Sequence, residues 1–487
     1  MYEFLKSLSD KSGCQSMGIC SIDPTVSAIE ELLLSQIREI SFYIIKLREL
    51  GLKNKEIENR LIKGLSIIMV NTSFDKEDFI NFLETLCADK KSAKERYVAH
   101  CRANHLSCEL IDSDYDISKI KSINEMIEIG ETKMQNKYRG VSPDKARLFE
   151  LITVFAKTSA IILELLKKVK EDTSDFDFET IRFFALTNSL STRVEKLKRR
   201  ILEFSKTGYQ ILSETNSAYE KHFGKRESAK VLLSALEGKA ILVSGPDLCE
   251  LEKLLDTIGE REINVYTNSS MFIAHTYPEF KKYKNLKGNL GTSDTQSDFA
   301  NFPGAILITR NFTHKIDSLL RGTMYSNKVI APNRVFKIKN DDYEPLIEAA
   351  LKLEGFRENE KKKYLEIKRS FDKIEQTLNE LQNKSVVIVV GENSNTGDIQ
   401  EFGGKKIINL DCPIESDLLL FTLEKCKNLN IKVDLFFTSC SISAINILMS
   451  VLFMELENIF FVNCSSSLIS PHVLEALEKD FNVKIIR

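Results

Sequence analysis

Several things are missing from this 487-residue sequence, and each absence narrows its chemistry. There is no excess of one charge: 68 Lys and Arg against 70 Asp and Glu give a formal net charge of −2. Non-specific nucleic-acid binding needs a basic surface that displaces counterions, so no nucleic-acid partner is expected. No apolar run reaches the length of a membrane span, so no membrane partner is expected either. The N-terminus, MYEFLKSLSDKSG, lacks both an apolar core and an Arg-rich amphipathic face. It therefore reads as neither a signal nor a transit peptide, and a cytoplasmic location is expected. Ten cysteines spread over this length form no dense framework, so they are read as reduced thiols or metal ligands rather than disulfides. Tryptophan is absent, which excludes nothing functional. No G-x-G-x-x-G follows a strand, and there is neither a P-loop nor a G-x-S-x-G elbow. Cys440 in TSCS has no histidine nearby in sequence to activate it.

What is there centres on residues 238–312. Three short apolar runs, Ala240 to Ser244, Ile263 to Thr267 and Ala305 to Thr309, each stop at a small or polar residue. Runs of that length between helical patterns read as buried parallel strands. Loops at the C-terminal ends of such strands are where α/β folds place ligands.

Ahead of this stretch the pattern is helical. Asp23, Pro24 and Gly51 bracket a helix over 23–50, with Ile29, Leu32, Leu33, Ile37, Ile40, Ile44 and Leu47 on the 3.6 period. The stretch HCRANHLSC holds His100, Cys101, His105 and Cys108, a zinc-capable mix without finger spacing, and is read as a helix end. At Ser142-Pro143 the pattern starts again: SPDKARLFELITVF overlays DPTVSAIEELLLSQ, with Glu150 on Glu31. This suggests an internal repeat of two helical bundles, about 23–140 and 141–237 within a helical domain 1–237. A central α/β domain over 238–355 follows, with a short extended run from Lys328 to Ala331. The charged segment 356–383, without Pro or Gly, reads as one long linking helix. Strand patterns SVVIVVG, KKIINL, KVDLFFT, NIFFVN and VKII alternate with helical ones and predict a last α/β domain over 384–487. GENSNTGDIQEFGG between the first two reads as a loop. The fold class is thus multidomain α plus α/β: a helical domain of two bundles, then two Rossmann-like α/β domains with parallel sheets.

The motifs SGPDL, YTNSSMFIAHTYP and TRNF at the three strand ends resemble those of the hybrid-cluster proteins, the prismane-like hydroxylamine reductases. That family carries SGHDL, YTHGEM-LPAHGYP and TTNC in the same frame. The ending NIFFVNCSSSLISPHVLEALEKDFNVKII is also similar to the family's C-terminus. The resemblance implies a helical domain followed by two α/β domains, an iron–sulfur–oxygen hybrid cluster, a second iron–sulfur cluster near the N-terminus, and reduction of hydroxylamine. At the positions matching the family's hybrid-cluster ligands this sequence has Pro246, Ser270, Phe312, Asn393 and Ser441, and Cys412 is the ligand retained. Cys14 and Cys20 mark a residual loop of the other cluster, whose Cys-x-x-Cys pair falls near Glu3 and Lys6. Iron clusters need thiolate, imidazole or carboxylate donors, which Pro and Phe cannot offer.

Three functions follow from the resemblance. The first is a cluster-deficient, non-reductase relative that binds a partner, an intact paralogue or another copy of itself, and holds no cofactor. The second is an iron–sulfur oxidoreductase reducing hydroxylamine or nitric oxide through a remodelled cluster on Cys412, with Cys440 and Cys464 nearby. The third is a small-molecule binder using the emptied cavity, with polar groups converging from Ser270, Asn393 and Ser441.

Overall fold

The computed structural model describes residues 24–67, 76–111, 120, 122–291, 299–309, 323–328, 335–357, 362–369, 371–391, 398–411, 416–438, 442–462 and 470–486. A large helical region leads into two mostly parallel sheets flanked by helices.

Helix α1 (Pro24–Glu49) begins at its proline and buries the face expected from its periodicity, with Leu32, Leu33, Ile37, Ile40 and Leu47 inaccessible. Helices α2 (Lys55–Ile67), α3 (Lys76–Ala103) and α4 (Ile123–Asn136) follow, and α1 packs on α3 and α4. Gly130 of α4 is what allows the last contact, since a Cβ there would stand 2.1 Å from the Ala28 carbonyl oxygen. HCRANHLSC closes α3: His100 and Cys101 lie in its last turn, and His105 adopts φ 55° just beyond. The pattern restarts in α5 (Pro143–Leu166), whose N-cap Ser142 accepts from the Lys145 amide. It packs with α6 (Ser174–Phe184) and α7 (Val194–Phe223), and also with α2 of the first group. The buried Arg48–Glu58 pair lies on α1 and α2, with bonds of 2.8 and 2.5 Å.

The first sheet has the order β7-β6-β5-β2-β3-β4-β1-β8. Its centre is the expected trio, β2 (Lys239–Ser244), β3 (Ile263–Asn268) and β5 (Ala305–Ile308), joined by β4 (Leu286–Asn289) and β6 (Thr323–Ser326). The short β7 (Phe336–Lys337) forms one edge. Alternate residues separate two cores: Ile241, Val243, Val265 and Leu307 pack with α8 (Leu248–Ile258) and α9 (Glu344–Lys352), whereas Leu242, Tyr266, Ile306 and Ile308 face the other side.

Two expectations are corrected here. The helical pattern does not run to residue 237, because β1 (Ala229–Leu232) already belongs to this sheet. Nor is 356–383 one helix, because it contains β8 (Tyr364–Ile367) and the short α10 (Phe371–Glu380). β8 runs antiparallel along β1, pairing Ala229 with Ile367. As an edge strand it leaves Tyr364, Leu365 and Glu366 exposed and buries only Ile367, so its composition resembles that of a solvated helix. Of the extended run expected from Lys328 to Ala331, residues 329–331 lie outside the described residues; β6 ends at Ser326, just before it.

The second sheet has the order β10-β11-β9-β12-β13-β14. β9 (Ser385–Gly391), β11 (Lys405–Asp411), β12 (Lys432–Phe437), β13 (Asn458–Val462) and β14 (Val483–Ile486) are the five expected strands, all parallel. The addition is β10 (Asp398–Phe402), antiparallel to β11. Gly403 and Gly404, with φ of 59° and 76°, make a two-residue turn between them. Helices α11 (Ser416–Asn428), α12 (Ile442–Val451) and α13 (Pro471–Phe481) cover this sheet and share one apolar core with the helical region. Ser205 of α7 donates to the Met449 carbonyl at 2.7 Å and accepts from the Phe453 amide at 3.0 Å. Asn446 donates to Thr158 at 3.1 Å, and Arg147 of α5 holds Asp480 of α13 at 2.7 Å. Among the described residues no helix is long and apolar enough to cross a membrane.

Candidate functional site

The parallel arrangement brings the ends of β2, β3 and β5 together, and side chains lock them. Ser244 donates to Asn268 Oδ1 at 3.0 Å, and Asn268 donates to the Leu290 carbonyl at 2.8 Å. The Thr309 amide donates to the Ser244 carbonyl at 2.8 Å, and the Asp247 amide donates to Thr309 Oγ1 at 3.3 Å. Thr267 lies 2.8 Å from Asn289 Oδ1 and 3.0 Å from His275 Nε2. His275 also bonds the Gly288 backbone, and burial pushes its pKa down to about 4, so the ring is neutral and structural.

Asp247 is the pivot of this rim. It is fully buried, it caps α8 by accepting from the Glu250 amide at 3.1 Å, and its carboxylate meets two ammonium groups. One is Lys168, just past the C-terminal end of α5; the other is Lys328, 2.9 Å away, just past β6. Lys328 also reaches Glu250 at 2.8 Å. Burial pushes the Asp247 carboxyl up, but Lys328 and Lys168 outweigh it and hold the group below the ordinary carboxylate range. Glu250 is displaced the other way, because burial outweighs Lys328 and Asp247 repels its charge. Its Oε1 is buried without a hydrogen-bond partner among the described residues. Burial, with the charge of Asp247, pushes the Cys249 thiol up to about 12, so it is not a nucleophile at neutral pH. Two buried carboxylates and Lys328 thus form an inner cluster, and the exposed Lys168 completes the balance of its charge. The Asp of SGPDL marked its first member; nothing in the sequence connected it to lysines 79 and 81 residues away.

A second ionic knot lies where the three regions meet. Arg226, after α7, and Arg369, before α10, both pair with Asp417 in the first turn of α11. Both arginine side chains are almost fully buried, and the Arg226 guanidinium lies 5.6 Å from the centre of the Tyr277 ring.

Of the residues matched to family ligands, Pro246 lies part-buried between β2 and α8, and Ser270 lies part-buried in the 3-10 turn Ser269–Thr276 after β3. Phe312, Asn393, Cys412 and Ser441 lie outside the described residues, as do Cys14, Cys20, Cys440 and Cys464. Among the described residues there is no group of three or more His, Cys, Asp or Glu able to hold a metal ion. The donor set at the described rim does not fit an iron–sulfur–oxygen cluster. Pro246 has no side-chain donor, the Ser270 hydroxyl is a poor substitute for a carboxylate, and Asp247 and Glu250 are engaged by lysine.

The family described as the Prismane/CO dehydrogenase family matches residues 8–441. Among solved structures, the chain is similar to one described as "NiZn[Fe4S4] and NiNi[Fe4S4] clusters in closed and open alpha subunits of acetyl-CoA synthase/carbon monoxide dehydrogenase". The match covers 94% of this chain and 76% of that one, at 10% identity and a TM-score of 0.36, a score too low to carry an argument.

Proposed function

Since the chain belongs to the Prismane/CO dehydrogenase family, we propose that it is a cluster-deficient member without reductase activity, which acts by binding an intact paralogue or a second copy of itself. One observation carries this reading. At the strand end where the family places its first ligand, the chain has Pro246, and the acids beside it form a closed set with Lys168 and Lys328. A buried anionic site that loses its metal cation keeps a charge that something must balance. Here lysines supply that balance, which is what a scaffold settled without a cluster requires. The partner role rests on the persistence of the packing frame where the donors have gone.

The test is iron and acid-labile sulfide per chain on anaerobically purified protein, with an EPR spectrum, and light scattering of the same sample. Iron near zero in a folded protein is the expected result. A stoichiometric cluster would overturn the proposal and favour the second function, a remodelled cluster involving Cys412 that reduces hydroxylamine or nitric oxide. Both substrates would then be assayed on the Cys412→Ser variant.

A further inference from the structure

A cavity of about 570 Å³ lies in the helical region, far from the strand ends in sequence. Its walls come from α1, α4 and α5, with Thr187 and Leu190 closing one side. The volume is in the range of small-molecule sites.

The polar end is built from the repeat. Glu31 of α1 and Glu150 of α5, the two overlaid glutamates, are both held by Lys137, at 3.2 and 2.9 Å. Tyr138 donates to Glu150, and Arg38 Nη1 donates to Glu31 at 2.7 Å. Burial pushes the Glu31 carboxyl up, but Arg38 and Lys137 overcome this and bring it down to about 2, so it is charged and fully committed. Arg38 is different. Among the described residues only one of its nitrogens is engaged by a side chain, its guanidinium lies 5.6 Å from the centre of the Phe184 ring, and the residue lines the cavity with 14% of its side chain accessible. A guanidinium presents five donors in a planar fork that matches a carboxylate. Ile129, Phe149 and Leu190 supply the apolar part of the lining.

The charges around the cavity limit the ligand. Arg38, Lys133 and Lys137 line it together with Glu31 and Glu128, and Glu150 stands behind Lys137. Three cations against three carboxylates leave no strong positive field, so a dianion is disfavoured and a single negative charge aimed at Arg38 is favoured. We propose that this cavity binds a small organic monocarboxylate, its carboxylate on the Arg38 fork and its hydrocarbon part against Ile129, Phe149 and Leu190. The site does not depend on whether the chain carries a cluster.

The test is calorimetric titration of the full chain with hexanoate, hexylamine and inorganic phosphate. Hexanoate is expected to bind saturably at one site, with the other two giving no saturable heat. Arg38→Gln is expected to weaken hexanoate about ten- to a hundredfold, as loss of charge-assisted hydrogen bonds implies, and Arg38→Lys to weaken it less. Because Arg38 also holds Glu31, a second variant guards against misfolding. Thr132→Trp, at an exposed position on the cavity wall, fills the entrance and leaves the Arg38–Glu31 pair in place. It is expected to abolish binding in a folded protein. The proposal is overturned if hexanoate gives no saturable heat, if hexylamine or phosphate binds as well, or if the Thr132→Trp protein binds like the wild type.

Discussion

Replacing Glu30 by glutamine is expected to change how stability depends on pH. Glu30 lies on α1 one residue before the Lys137-bound Glu31; it is 9% exposed, and its Oε1 has no hydrogen-bond partner among the described residues. Burial pushes its carboxyl up from 4.5 to about 8; Lys157 of α5 opposes the shift, and Glu31 adds to it. The folded chain therefore holds a proton that the unfolded chain releases. The resulting stabilisation is fully present below pH 4.5, declines as the pH rises towards about 8, and is gone above it. At ~1.4 kcal/mol per tenfold, the whole displacement corresponds to roughly 5 kcal/mol, and because Lys157 titrates with Glu30 the difference to look for is about 2–5 kcal/mol. Urea unfolding of the wild type and of Glu30→Gln, followed by circular dichroism from pH 5 to about pH 8, isolates the effect as a difference between two curves. The glutamine variant is expected to gain on the wild type steadily across that window. Parallel curves would show that Glu30 ionises as it does in water, and the account of a buried, proton-holding carboxyl would fail.

Three further changes test other parts of the structure. Asp247→Ala removes the cap of α8 and leaves Lys168 and Lys328 without their shared anion, so a loss of about 3–5 kcal/mol is expected in urea unfolding; a loss below ~1 kcal/mol would mean the cluster is not structural. Gly130→Ala puts a methyl group 2.1 Å from the Ala28 carbonyl oxygen and must push α4 off α1, costing about 2 kcal/mol or more and lowering the Tm; an unchanged Tm would contradict the close crossing. Cys249, its thiol pushed up to about 12, is expected to stay unmodified by iodoacetamide in the folded chain at pH 8 and to react once the chain is unfolded, read by peptide mass; equal rates would refute its burial.

Much of the fold was legible because its signals are local. The α1 stripe, the Ser142-Pro143 start of α5 and the central strands of both sheets are patterns within one element, and each was met where expected. The hairpin at Gly403-Gly404 was equally local, and the paired glycines between Phe402 and Lys405 would have revealed it had they been weighed as a turn rather than as loop composition. What escaped depends on distance. β1 and β8 are four-residue strands paired across 129 or more residues, β1 between β4 and β8 and β8 at the edge, and strands that short carry little pattern. The candidate site divides in the same way. Asp247 belongs to a motif, but Lys168 and Lys328 reach it only because the helical region and the sheet meet there. The cavity likewise needs Arg38, Lys137 and Glu150 from three segments.

The pairing of β1 with β8 has a consequence for how the protein is made. Ser234, beyond β1, accepts a hydrogen bond from the Lys363 amide, a partner 129 residues later. A ribosome therefore releases β1 long before the strand that covers its outer edge exists, and α5 and α7 emerge before the last sheet that shares their core. The nascent chain carries an open strand edge until β8 is made and bare apolar helix faces until the last sheet is made, the conditions under which chains misassociate. Closing these surfaces therefore waits for segments made long after the surfaces themselves, which couples the folding of the early helices and of β1 to the synthesis of distant strands.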